Sequence, residues 1–176
     1  MELIAQIREG ASYIEDKIAV KPRLGIVLGS GLGALADRVE EPVVIPYREI
    51  PHFHAATVQG HNGRLVTGEL QGCPVMVLQG RPHYYEGLSM AEVVFPVRCM
   101  KILGVESLIV TNAAGSLDPN LRPGDLMLIR DHIKMVTDSP LRGVNLDDFG
   151  PRFPDMCDCY DPDLIALAEQ AALDLK

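Results

Sequence analysis

Leu3, Ile7, Ala11, Ile14 and Ile18 recur every three or four positions, with Arg8, Glu9, Glu15 and Asp16 among them. That spacing predicts an opening amphipathic helix, ended by Lys21 and Pro22. The period then changes. Leu24–Leu28 is an apolar run of strand length, followed by Gly29-Ser30-Gly31-Leu32-Gly33, a brief helical stretch over 34–39 and a β-branched run at 43–45. Arg64–Leu70 alternates polar and apolar, residues 74–78 form another run, and Gln71-Gly72 between them reads as a hairpin turn. Ser89 and Glu92 make a capping box whose helix is expected to run to about Leu103, with Gly104 as its stop. Further buried strands are expected at 107–111 and 126–130, separated by a turn-rich stretch. Strands alternating with helices imply an α/β fold, with a largely parallel or mixed sheet, in a single domain spanning residues 1–176. Near the end, Asp161 is placed as an N-cap, Pro162 in the first turn, and Leu164, Ala168, Ala171 and Leu175 on an apolar stripe. α/β units usually return to the sheet after a crossover helix, so the helix reaching Lys176 is expected to belong to a longer domain.

Composition narrows the function classes. With 176 residues, 47% of them apolar, the chain is long enough for one sizeable core. The formal charge of −8, from 24 acidic and 16 basic residues, comes with no Lys/Arg-rich stretch, so a nucleic-acid partner is not expected. A small anion is still compatible, given a local convergence of Arg, His and backbone N–H groups. The charged N-terminus is not a secretory signal, and no apolar run approaches the roughly 18–20 residues that span a bilayer. Cys73, Cys99, Cys157 and Cys159 have neither disulfide-framework nor zinc spacing and read as ordinary reduced cysteines. A cytoplasmic, enzyme-sized domain with no membrane partner is the expectation.

Three segments can carry chemistry. In the first, a strand empties into the 29–33 glycine turn, where the lack of Cβ atoms lets backbone N–H groups approach a ligand and Ser30 adds a hydroxyl donor. No Gly-Lys-Ser/Thr follows, so it is not a Walker loop. Gly29, Gly31 and Ala34 also fit the dinucleotide pattern G-x-G-x-x-A, with Glu49 where a ribose-binding acid would lie. Pro42 and Pro46 weaken that reading, because a mid-sheet strand tolerates proline badly; a purely structural turn is the third option. The second segment, 79–87, follows a strand and contains Arg81, His83 and Tyr85, which in an extended chain share one face. They would set a planar cation, a titratable donor and a phenol side by side. The third, Thr111-Asn112-Ala113-Ala114-Gly115, again lies where a strand runs out and can turn small-residue amides toward a ligand or simply form a tight turn. His61, in Gly60-His61-Asn62-Gly63, is a weaker anion candidate. For the H-x-H pair His52 and His54, no matching ligand lies nearby in sequence, so no metal site is expected. No nucleophile elbow or H-E-x-x-H helix is present.

Taken in order, Gly29 to Gly33, Gly60 to Arg64, Gln79 to Gly87, Phe95-Pro96-Val97-Arg98, Thr111 to Gly115, Pro123-Gly124-Asp125 and Arg130-Asp131-His132 resemble the trimeric purine nucleoside phosphorylases. The resemblance covers nearly the whole chain. It implies a twisted mixed sheet wrapped by helices, and a pentosyltransferase of nucleoside metabolism and purine salvage. That enzyme cleaves purine (deoxy)ribonucleosides with inorganic phosphate as co-substrate and needs no metal or organic cofactor. Carried over by position, Ser30, His61, Arg81, His83 and the N–H of Ala113 would bind phosphate and Tyr85 the ribose. Phe153 would cover the ribose of a neighbouring subunit in a homotrimer. The residues that read the purine are expected beyond Lys176, which leaves the catalytic set unassigned and the activity of these 176 residues alone in doubt. Alternatives carried from sequence are a methylthioadenosine phosphorylase, an NAD-dependent oxidoreductase using the glycine turn, and a non-catalytic nucleoside- or phosphate-binding domain.

Overall fold

Leu24–Leu28 (β1) lies inside a five-stranded sheet, which is why its sequence is a continuous run rather than an alternation. Around it are Glu40–Pro46 (β2), Arg64–Leu70 (β3), Cys73–Gln79 (β4) and Ser107–Val110 (β5), in the order β2-β3-β4-β1-β5. β1 is parallel to β4 and β5, whereas β2 with β3 and β3 with β4 are antiparallel. The fold is α/β with an open mixed sheet, as the pattern of runs predicts. The structure, a computed structural model, describes residues 3–54 and 63–175. It forms two compact units, Met1–Ala114 and Gly115–Lys176, and the whole sheet lies in the first.

Both faces of β1 are covered. Ile26 and Leu28 join Val66, Val75 and Val77 in a core closed by Ala36 and Val39, from the short 3-10 turn Gly33–Arg38 and its end. On the other face, a Cβ at Gly25 would meet Met100 Sδ at 3.0 Å, so the glycine lets a helix lie close. The opening helix Leu3–Glu15 (α1) buries Ile7, Gly10, Ala11 and Ile14 and packs on Phe95–Ile102 (α3). Cys99 Sγ donates to Ile7 O at 3.6 Å there, and burial pushes its thiol up to about 12, so it packs as a neutral group. All four cysteines are free.

Several elements differ from the sequence reading. α1 ends at Glu15, not at Lys21, since Ile14 is its last buried residue. The helix opened by Ser89 divides into Met90–Val93 (α2) and α3, although the capping box forms as expected. Pro96 lacks the N–H that would bond Glu92 O, and its ring crowds that carbonyl, so the turn breaks there. The stop is the expected one. Gly104 at φ +95° donates to Lys101 O and Val105 to Met100 O, a Schellman motif. Gln71 and Gly72 have φ of +51° and +75°, the signature of a primed hairpin turn, which joins β3 to β4 in two residues. Pro42 and Pro46 sit on β2, an edge strand, where proline is tolerated. β5 is also an edge and leaves Ile109 and Val110 about half exposed rather than buried.

In the second unit, residues 126–130 form no strand, contrary to the expectation from their composition. Arg152 ties its own loop by donating to Leu141 O and Gly143 O at 2.9 and 2.6 Å. Pro162–Asp174 (α4) starts as expected, with Asp161 Oδ1 accepting from Asp163 and Leu164 N–H. Among the described residues no helix is long and apolar enough to cross a membrane. Gly104→Ala places a Cβ in open space but in a left-handed conformation. It is therefore expected to cost about 1–2 kcal/mol in a denaturant melt, without loss of secondary structure.

Candidate functional site

β4, β1 and β5 run side by side in one direction, with Leu28 paired to Gln79 and Val27 to Val110. The loops that follow carry Ser30 two residues past Leu28, Arg81 two past Gln79 and Ala113 three past Val110. Neighbouring strands are about 4.8 Å apart. Three loops far apart in sequence thus open together at the carboxyl edge of the sheet, where open α/β sheets bind ligands.

Thr111 joins them. Its hydroxyl donates to Val27 O at 3.0 Å and accepts from Gly29 N–H at 2.8 Å, while its carbonyl accepts from Arg81 Nη1 at 3.2 Å. The approach is close enough to require glycine: a Cβ at position 29 would lie 2.7 Å from Thr111 O and 2.8 Å from Asn112 Cα. Gly31 turns the chain at φ +90°, leaving Ser30 exposed at the tip. The following 3-10 turn of six residues is too short to supply an α-helical dipole, so any anion must be held by the turn's amides and the Ser30 hydroxyl.

The second loop is more ordered than an extended segment. Residues Tyr84–Glu86 form a 3-10 turn, because Glu86 Oε1 accepts both His83 N–H at 2.8 Å and His83 Nδ1 at 2.9 Å. The Glu86 side chain is only 7% exposed, so this carboxylate sets the imidazole from within the protein. With Nδ1 donating to it, Nε2 is the acceptor that faces Arg81 Nε at 3.5 Å. The Tyr85 ring stacks on His83 with centroids 4.7 Å apart, and the residue as a whole is 75% exposed. Arg81, His83 and Tyr85 are brought together after all, by a turn and a stack rather than by strand alternation. Gly80, at φ +86°, is pinned by buried Tyr47, whose hydroxyl donates to Gly80 O at 2.7 Å. Burial raises the Tyr47 pKa, which keeps that donor protonated.

The remaining candidates lie elsewhere. His61 is outside the described residues. Phe153 belongs to the second unit and is 88% exposed. His52 and His54 each meet a separate carboxylate distant in sequence: Glu9 at 2.8 Å and Glu92 at 3.0 Å, 43 and 38 residues away. Thr111, Glu86 and Tyr47 had no individual role in the sequence reading. For Thr111 and Tyr47, the partners lie 82 and 33 residues off, beyond any local pattern. The Glu86 signal was available, since His83 and Glu86 have capping-box spacing.

Residues 23–176 match the family model described as the Phosphorylase superfamily. Purine nucleoside phosphorylase 1 of Bacillus subtilis (strain 168) is 54% identical over 97% of this chain and 63% of its own length. Purine nucleoside phosphorylase of Mus musculus is 49% identical over 88% of this chain and 54% of its own. Isoform 2 of the Schistosoma mansoni enzyme, solved in complex with cytosine and ribose-1-phosphate, superposes with a TM-score of 0.90 at 44% identity. That alignment covers 97% of this chain and 61% of the solved one. The chain therefore spans less than two thirds of the length of these relatives.

Thr111→Val keeps the shape of the junction but removes its hydroxyl, stranding the Gly29 N–H. A loss of about 1–3 kcal/mol in a denaturant melt is expected, with faster amide exchange at Gly29.

Proposed function

The chain belongs to the phosphorylase superfamily, and on that premise we propose that it carries the phosphate and pentose subsites of a purine nucleoside phosphorylase. One observation carries this: the loops bearing Ser30, Arg81 and Ala113 leave three adjacent parallel strands at one edge, where Thr111 bonds both Gly29 and Arg81. A tetrahedral dianion placed there meets the Ser30 hydroxyl, the Arg81 fork, the turn amides and the Ala113 N–H. Charge-assisted hydrogen bonds of this kind contribute about 1.5–3 kcal/mol each. We assign His83, held by Glu86, and His61, from its position in the family pattern, to the same anion.

Tyr85 stacks on His83, and we assign it to the pentose. Breaking the glycosidic C–N bond builds oxocarbenium character on the sugar, as in glycoside hydrolysis. The bound phosphate stabilises that charge from beneath the ring and then attacks the anomeric carbon, giving the pentose 1-phosphate and the free base. Holding both reactants removes an entropic barrier of about 7–11 kcal/mol when the geometry is right. The reaction so described uses no metal or organic cofactor. Recognition of the purine is assigned to the part of the relatives' length that this chain does not span. Assembly as a homotrimer, with Phe153 over a neighbour's pentose, and a cytoplasmic location complete the reading.

Inorganic phosphate at 100 times its Kd is expected to stabilise the chain by about 2.7 kcal/mol, seen as a raised Tm, whereas NAD is expected to leave Tm unchanged. The reverse response would end this reading. Phosphate-dependent release of hypoxanthine from inosine is expected to be slow or absent for these 176 residues. Rapid release would place base recognition within them.

A further inference from the structure

Behind the two loops that hold Ser30 and Arg81, three side chains and one carbonyl close a ring. Gln79 ends β4, two residues before Arg81, and its Nε2 donates to Gly33 O at 2.9 Å. Gly33 closes the glycine turn, three residues after Ser30. On the other side, Gln79 Oε1 accepts from Arg64 Nε, and Arg64 is the residue paired with Gln79 across β3 and β4. Arg64 Nη2 donates to Asp37 Oδ1 at 2.7 Å, and Asp37 lies on the same 3-10 turn that Gly33 begins. The circuit runs from Gly33 through Gln79, Arg64 and Asp37 back to Gly33.

The orientation of the Gln79 amide is forced. Arg64 offers only donors, so the amide oxygen must face it, and the amide NH2 is then left to meet the Gly33 carbonyl. Asp37 fixes Arg64 in turn by a charge-assisted hydrogen bond. The glycine turn is consequently held at both ends: Gly29 N–H on Thr111 and Gly33 C=O on Gln79. Only Ser30, Gly31 and Leu32 lie between those two anchors. Gln79 is also the last strand residue before the Gly80-Arg81 loop. One side chain thus ties the glycine turn that carries Ser30 to the strand end from which the Arg81 loop leaves.

We infer that Gln79 is a positioning residue for the anion site, fixing the glycine turn against the Arg81 loop without touching the anion. The inference rests on the phosphate reading above, and the experiment separates the two. Inorganic phosphate affinity is measured by calorimetry for the 176-residue chain and its Gln79→Glu, Gln79→Met and Arg64→Lys variants. Amide exchange over 29–38 is followed in parallel. Gln79→Glu keeps the acceptor for Arg64 but turns an oxygen toward Gly33 O, so it should behave like Gln79→Met rather than like the parent chain.

Both Gln79 variants are expected to bind phosphate about tenfold more weakly, the effect of one lost hydrogen bond, and Arg64→Lys, which keeps a donor, by less. Exchange over 29–38 should quicken while β3 stays protected. If the parent chain binds phosphate and both Gln79 variants bind it equally well, the positioning role is overturned and the phosphate reading stands. If the parent chain does not bind phosphate, the phosphate reading falls. Exchange then decides the rest: quickening confined to 29–38 upholds the hold of Gln79 on the turn, and unchanged exchange removes it.

Discussion

The parallel pairing of β1 with both β4 and β5 governs everything at the carboxyl edge of this sheet. Antiparallel neighbours would have sent the loops after Leu28 and Gln79 to opposite edges, as happens between β3 and β4. Parallel strands end in the same direction, so their loops leave the sheet at one edge. Thr111 converts that alignment into a rigid junction, because a hydroxyl can donate and accept at once. It spans the β1 carbonyl before the turn and the first amide within it, which leaves the turn little freedom to drift from the β5 loop.

An anion site on a chain of net charge −8 needs local cations that are not already neutralised. Arg23 is paired with Glu106 and Arg64 with Asp37, so neither offers much field to a ligand. Arg81 is different. Its described partners are the Thr111 carbonyl and the His83 imidazole, which orient the guanidinium without cancelling its charge. The neighbouring carboxylate, Glu86, is taken up by His83 through both its backbone and its ring. Overall acidity and local anion affinity are then compatible, since the screening length of about 8–10 Å at ordinary salt keeps distant carboxylates from dominating the site.

What the sequence made legible were features closed within a few residues: the capping box at Ser89 and Glu92, the Gln71-Gly72 turn, the Gly104 stop and the Asp161-Pro162 helix start. Each is a local hydrogen-bond or φ requirement that particular residue types satisfy. The loops carrying Ser30, Arg81 and Ala113 were legible for a related reason, since small residues after an apolar run mark a strand end. Less legible was anything decided by a distant partner. Residues 126–130 have the composition of a strand, but a strand exists only where a ladder is offered. The exposure of β5 follows from its place at the edge of the sheet, which composition does not encode. Gln79 reads as an ordinary strand-end polar residue until Arg64 and Gly33 are set on either side of it.

The glycine turn itself is ambiguous in one dimension and not in three. Gly29, Gly31 and Ala34 satisfy a dinucleotide pattern, and Glu49 lies at a plausible distance along the chain. A ribose-binding acid must, however, stand at the end of a parallel strand adjacent to β1. Here the strand leading to Glu49 is β2, the far edge of the sheet, with β4 and β3 between it and β1. Three strand spacings amount to about 14 Å, more than a glutamate side chain can cross to a ribose seated on the turn. The parallel neighbours of β1 instead deliver Arg81 and Ala113. The turn those glycines form is tied to Thr111, just past β5, and to Gln79, the end of β4.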